Sequence, residues 1–235
     1  MLTNQPAPSI GRDLAEVRRA ENPDSCDRES IRQLADVLGA WPPQAGNSWL
    51  IEPAPQLTSH HGSRNAMTHI GSSECPAVLV RAADAELIGS APQSIRLLAD
   101  SSSTGGALSA QRVTLLGGAD GAKPHYHSSS AELFYLLGGS AQLLLGDQVL
   151  VAAEGDLVLV PPGLPHAFAA AAAADADLLI VITPGIERFE YFRHLARIAA
   201  GLQPPESLLE DQARYDTFFD ASPAWQQARG SQSGS

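Results

Sequence analysis

Four side chains in this sequence have the types and the spacing to hold a metal ion: His125, His127, Glu132 and, thirty-four positions after Glu132, His166. Histidines at i and i+2 of a strand point to the same face because side chains alternate with period 2, so His125 and His127 can grip one ion together. Glu132 and His166 could complete the site, since imidazole and carboxylate both suit divalent Fe, Ni, Mn, Cu, Co or Zn. Three histidines and one carboxylate leave coordination positions open for a substrate or for dioxygen. Taken singly, each of the four is more readily a surface or satisfied core residue, and it is their joint spacing that points to a site.

Strands and turns must bring the four together. Short apolar segments at 77–81, 94–98, 108–115, 133–137, 141–145, 148–152 and 157–160 are separated by turn residues such as Gly138-Gly139, Gly146-Asp147 and Gly155-Asp156. That is the spacing of an all-β sandwich or barrel. The alanine run from Ala169 to Ala174 favours helix on propensity alone. Placed between His166 and the apolar run from Leu178 to Ile182, it reads as the end of one strand and a loop before the last. Tyr126, between the two histidines, belongs on the opposite face and packs rather than reacts. Phe134, Leu143, Leu145, Phe168 and Ile182 are the apolar candidates for a pocket around the site.

After Pro184-Gly185 the period changes to 3.6, with Ile186, Phe189, Phe192, Leu195, Ala196 and Ala199 on one helical face. A second helix is expected over 206–218, following Pro204-Pro205, where proline suits a helix start. These helices could pack on the barrel, cover an opening or pair between subunits. In the first 66 residues, Leu14 and Val17 mark a short helix, and Ile31, Leu34, Ala35 and Leu38 form one apolar face of a second.

The glycines and prolines around the four polar residues carry a family resemblance. The first stretch reads Gly121-Ala-Lys-Pro124-His125-Tyr-His127-Ser-Ser-Ser-Ala-Glu132, with Gly139 after six more residues; the second reads Gly155-Asp-Leu-Val-Leu-Val-Pro161-Pro-Gly163-Leu-Pro-His166. Both resemble the two motifs of the cupin superfamily. Two positions depart from its pattern: Ala119 stands where a glycine is usual and Ala170 where an asparagine is frequent, and neither is a usual ligand position.

The resemblance spans roughly residues 77–183. It implies a mainly β fold, a cupin-type jelly-roll β-barrel (double-stranded β-helix), with His125, His127, Glu132 and His166 as the metal ligands. It also implies a homodimer. The run from Thr183 to Phe192 resembles the helical tail of bacterial single-domain cupins (monocupins) called quercetin-dioxygenase-like. The expected organisation is an N-terminal helical or irregular extension over 1–66, the barrel over 67–183, a C-terminal helical segment over 184–229 and a disordered tail over 230–235.

Composition excludes other partners. Across 235 residues there are 15 Lys+Arg against 26 Asp+Glu, a formal net charge of -11. Nucleic acid and anionic membranes both demand clustered positive charge, so neither is expected as a partner. The run Arg32 to Gly39 resembles the first helix of a helix-turn-helix, but Trp41-Pro42-Pro43 cannot continue as a recognition helix, and the first 66 residues hold six arginines against eight acids. No run of eighteen apolar residues and no basic-then-apolar leader is present, which predicts a soluble, cytoplasmic protein. Cys26 and Cys75 have no pairing spacing and read as free thiols. His60-His61 reads as a solvated loop pair. Lys123, the one lysine of the chain, is either a cation at the mouth of the site or a solvated loop residue.

The chemistry expected of the four residues is that of a metal-dependent oxygenase, a dioxygenase acting on an aromatic or polyketide-like small molecule, with Glu132 as both ligand and catalytic base. Two alternatives stay open: a non-oxidative cyclase or isomerase that uses the metal as a Lewis acid, and a binding protein without turnover.

Overall fold

The computed structural model describes residues 67–70 and 77–230, with the chain entering at β1 (Met67–Ile70), which pairs antiparallel with β2 (Ala77–Val80). The extension over 1–66, with the two helices expected in it, Cys26, Cys75 and the His60-His61 pair lie outside the described residues, as does the expected tail apart from Gly230, which ends a helix instead.

All the remaining strands join one curled antiparallel sheet of ten. In chain order they are β3 (Leu87–Ser90), β4 (Gln93–Ala99), β5 (Ser109–Leu115), β6 (His125–Tyr126), β7 (Ala131–Leu145), β8 (Gln148–Ala153), β9 (Leu157–Val160), β10 (His166–Ala170), β11 (Ala176–Thr183) and β12 (Phe218–Phe219). Hydrogen bonding orders them β12-β6-β10-β7-β11-β5-β4-β3, with β8 and β9 also on β7. The period-2 alternation sets the inner face. Leu178, Ile180 and Ile182 of β11, Val113 and Leu115 of β5 and Phe134 and Leu136 of β7 are buried in it.

The segments 133–137 and 141–145, expected as two strands around a Gly138-Gly139 turn, are one strand of 15 residues. Gly139 sits at φ +69°, and a Cβ there would lie 2.1 Å from the Asp175 carbonyl oxygen. The glycine pair therefore produces an irregularity rather than a reversal, with the pairing to β11 shifting register between Asp177 and Leu178. The strand changes partners across it: residues before it pair with β9, and residues after it pair with β8 and β10. One strand thereby serves both halves of the curled sheet.

The C-terminal segment folds back onto this sheet. Helix α1 (Arg188–Ala199) buries Tyr191, Phe192 and Ile198 in the main core. The helix expected over 206–218 is broken into α2 (Glu206–Glu210) and α3 (Gln212–Tyr215), and its last residues form β12 instead. Asp211 has left the helical region at φ -94°, ψ 7°, and Asp216 is left-handed at φ 46°, which no helix continues through. Helix α4 (Pro223–Gly230) then covers the outer side of β10 and β7, where Trp225 packs with Leu144, Ala167 and Ala169. Among the described residues, no helix is long and apolar enough to cross a membrane.

Candidate metal centre

Three strands deliver the four side chains. His125 opens β6 directly opposite His166, which opens β10. Glu132 is the second residue of β7 and faces Val160 and Ile182. His127 follows β6, and its carbonyl accepts from the Gly163 amide at 2.7 Å, so the Pro-Pro-Gly turn of the second motif holds the first. Gly163 is at φ +80°, a conformation that glycine adopts without strain. The two departures from the cupin pattern meet each other: the Ala170 amide donates to the Ala119 carbonyl at 2.9 Å, so both positions serve as backbone pairing here.

All four side chains are buried, each at 3% exposure or less, and their ligand atoms lie within 4.8 Å of one another. The three imidazoles are oriented alike. Nδ1 of His125 is 2.7 Å from the Lys123 carbonyl, Nδ1 of His166 is 2.9 Å from the Leu164 carbonyl, and Nδ1 of His127 meets the Asp216 carbonyl. A carbonyl only accepts, so each Nδ1 carries the proton and each Nε2 presents a lone pair to the cluster. That is the arrangement of a metal-ligating histidine whose other nitrogen is fixed by a backbone carbonyl.

The consequence is a conflict among acceptors. Nε2 of His166 lies 2.6 Å from Oε2 of Glu132, and Nε2 of His127 is 3.4 Å from the same oxygen with no hydrogen-bond partner. Lone pairs aimed at a buried carboxylate repel unless a cation or a proton stands between them. The donor set thus fits a divalent transition metal. Burial, with His166 and His127 alongside, holds His125 well below the usual imidazole range and so keeps it neutral. Burial pushes the Glu132 carboxyl up, but positive charge placed between it and His127 or His166 draws it below the usual carboxylate range.

The loop between His127 and Glu132 is clamped from far away in sequence. The Asp216 carboxylate accepts from the Ser128 amide at 2.7 Å, the Ser128 hydroxyl at 2.5 Å, the Ser129 amide at 3.1 Å and the Ser130 amide at 3.2 Å. Sequence reading misses Asp216, because a lone aspartate beyond a broken helix has no periodic signal.

His125 and Glu132 also line a cavity of about 240 Å³. Of the five apolar residues expected around the site, only Phe168 reaches the cavity; Phe134, Leu143 and Ile182 are fully buried in the core, and Leu145 packs partly buried against it. Further parts of the wall come from Ile95, Gln111, Val113 and Ile180 on the sheet and from Arg188, Tyr191 and Phe192 on α1. Of the three roles left open for this helix, α1 packs on the sheet and lines the cavity. Tyr126 stands apart, stacked on Phe218 at 5.2 Å, as its place in the strand requires. Lys123 lies at the cavity wall.

Residues 111–182, from β5 to β11, match the family model described as the cupin domain. The curled sheet over these residues is a cupin domain. No curated protein matches the chain. Among solved structures, the cupin domain is similar to a nucleoside dehydratase, Pac13 of Streptomyces, at 14% identity over 46% of this chain and 83% of that one, with a TM-score of 0.37. It is similar to KdgF from Halomonas sp. at 18% identity over 44% and 90%, with a TM-score of 0.39. An RmlC-like cupin from Shewanella frigidimarina is 17% identical over 53% of this chain and 99% of its own, with a TM-score of 0.40.

Proposed function

We propose that this chain is a metal-dependent cupin enzyme acting on a small molecule, and that its reaction is a dioxygenation of an aromatic or polyketide-like substrate. The observation that carries the metal-dependent reading is the 2.6 Å approach of His166 Nε2 to Glu132 Oε2 while Nδ1 of the same ring faces a carbonyl. His125, His127, Glu132 and His166 would hold the ion. Such an ion supplies Lewis acidity and, if redox-active, a path for electrons.

The chain's own residues bind and orient the substrate. Ile95, Val113, Phe168, Ile180 and Phe192 give the cavity apolar walls, which suit a flat apolar skeleton and exclude water from the reacting end. Glu132 is at the wall and ionised, so its carboxylate is the group to accept a substrate hydroxyl proton. That same placement favours a second, non-oxidative reading. A carboxylate that takes a proton from one position and returns it to another accomplishes isomerisation or cyclisation without net oxidation.

The chain acts as a homodimer in this reading. Leu157 and Leu159 of β9 are 58% and 61% exposed and lie beside Tyr135 and Leu133 of β7, an apolar outer surface suited to a second copy. Light scattering reads that state directly.

Metal content of protein purified without added metal, followed by oxygen-electrode traces with candidate aromatic substrates, tests the function. About one equivalent of Fe, Ni, Mn, Cu or Co and substrate-dependent oxygen consumption are expected. Turnover without oxygen uptake would replace the oxygenase reading by the non-oxidative one. Absence of bound metal after loading would sink both.

A further inference from the structure

Arg188 is the first residue of α1, is 4% exposed, and lines the same cavity as His125 and Glu132. Its guanidinium has five N–H donors and uses one: Nη1 donates to Thr217 Oγ1 at 2.8 Å. Nε is buried without a partner. Among the described residues no carboxylate lies within ion-pairing distance of it, whereas Arg193, Arg197 and Arg229 each have one.

A buried charge without a counter-charge is costly, so it needs a reason to be there. Packing supplies little of one. The guanidinium lies 4.2 Å over the Tyr191 ring and 5.1 Å from that of Phe192, cation–π contacts that offset part of the burial cost but use none of its N–H donors. A cation in the first helical turn also opposes the helix dipole, which favours anions there. What the position does provide is a guanidinium on the cavity wall with most of its N–H donors uncommitted.

The other charges of the cavity agree. Asp120 is neutralised by Arg229 at 2.9 Å, and Glu132 belongs to the proposed ligand set, where a divalent cation would offset its charge. Lys123 adds a second cation with no acid partner among the described residues. In a chain of net charge -11, the unpaired charge facing this cavity is positive.

We propose that the ligand of this cavity is an organic anion whose carboxylate is gripped by Arg188, with its apolar body against Phe168, Val113 and Phe192 and its far end toward His125 and Glu132. A planar guanidinium matches a carboxylate through two parallel hydrogen bonds, and Arg188 has spent only one of its five donors, on Thr217. Lys123 then attracts the anion to the entrance without fixing its pose. The assignment rests on the cavity being the substrate site proposed above.

Calorimetric titration of the metal-loaded protein with benzoate and hexanoate, against benzyl alcohol and hexan-1-ol, tests it. Wild type is expected to bind at least one acid about tenfold more tightly than its alcohol, a ratio of the size a charge-assisted pair gives. Arg188→Met should abolish that preference while leaving alcohol binding unchanged, Arg188→Lys should keep part of it, and Lys123→Met should keep most of it. Equal binding of acids and alcohols by wild type, or no binding of either acid, overturns the proposal without any variant and so stands even if Arg188→Met fails to fold. Acid binding that survives in Arg188→Met but disappears in His166→Ala places the carboxylate on the metal ligands, which overturns the anchor and leaves the metal-dependent reading intact. Acid preference carried by Arg188 in a protein that takes up no metal does the reverse.

Discussion

Nδ1 of His127 is bonded to the backbone carbonyl of Asp216, a residue 89 positions downstream. The same residue's carboxylate binds the three serines that follow His127. One residue of the C-terminal segment thereby fixes a ring orientation and the loop that leads to Glu132. The cluster is therefore built by two parts of the chain that share no local pattern.

Removing the Asp216 side chain should loosen that loop without touching a ligand. Asp216→Ala is expected to cost about 2–4 kcal/mol, because four donors lose a charged acceptor. Metal affinity should fall roughly 10- to 100-fold, the range for losing a group that orients a ligand. Asp216→Asn, which tolerates the left-handed backbone and keeps one acceptor oxygen, should fall between. Urea unfolding and competition with a chelator measure the two effects, and an unchanged metal affinity would contradict the coupling.

The four ligands should act as one set. His125→Ala, His127→Ala, Glu132→Gln and His166→Ala are each expected to lower bound metal from about one equivalent to a small fraction, since each removes one of four donors. Elemental analysis after dialysis reads this. Full retention in both His125→Ala and His166→Ala would refute the site.

In metal-free protein, acid should destabilise the fold in two steps. His125 is held well below its ordinary 6.5, first by burial and then by His166 and His127, so the unfolded chain takes up a proton there that the folded chain refuses. Glu132 is held below its ordinary 4.5: burial raises it, but in place of the metal a proton held between it and His127 or His166 lowers it by more. In both cases the unfolded state binds more protons, so stability falls as pH falls. His125 acts from about pH 6.5 downward and Glu132 from about pH 4.5 downward. Melting temperatures of chelator-treated protein across pH 8 to 4 should decline accordingly, with the upper step absent in His125→Gln. A flat profile above pH 5 would exclude the His125 contribution.

Gly139→Ala tests the irregularity that lets β7 serve both halves of the sheet. Its φ of +69° and the 2.1 Å approach of a Cβ to the Asp175 oxygen leave no room for a side chain. A loss of about 2–4 kcal/mol is expected from strain and lost pairing, visible in urea unfolding. Gly155→Ala, where nothing lies within 4 Å of the added Cβ, should cost less and serves as its comparison.

Much of the site was legible because its rules are local. His125 and His127 share a face by the period of a strand, and Gly163 and Pro161 mark a turn by their own backbone preferences. Strand positions such as β5, β8, β9 and β11 followed from apolar runs between turn residues. Where reading failed, competition between local and distant preferences was the cause. Gly138-Gly139 has the composition of a turn, yet pairing with β8, β9, β10 and β11 holds it inside one strand. The stretch after Pro204-Pro205 has helical composition, yet Phe218 and Phe219 are drawn into pairing with β6.

The sequence by itself determined the residue types of the cluster, the two motifs that carry them and the mainly β fold, because each motif and each strand is written in residues a few positions apart. Only the tertiary structure decided which nitrogen of His127 faces the cluster, that α1 lines the cavity, and that Arg188 stands there without an acid. Those outcomes depend on where the chain returns after 60 to 90 residues, and no periodicity encodes that distance.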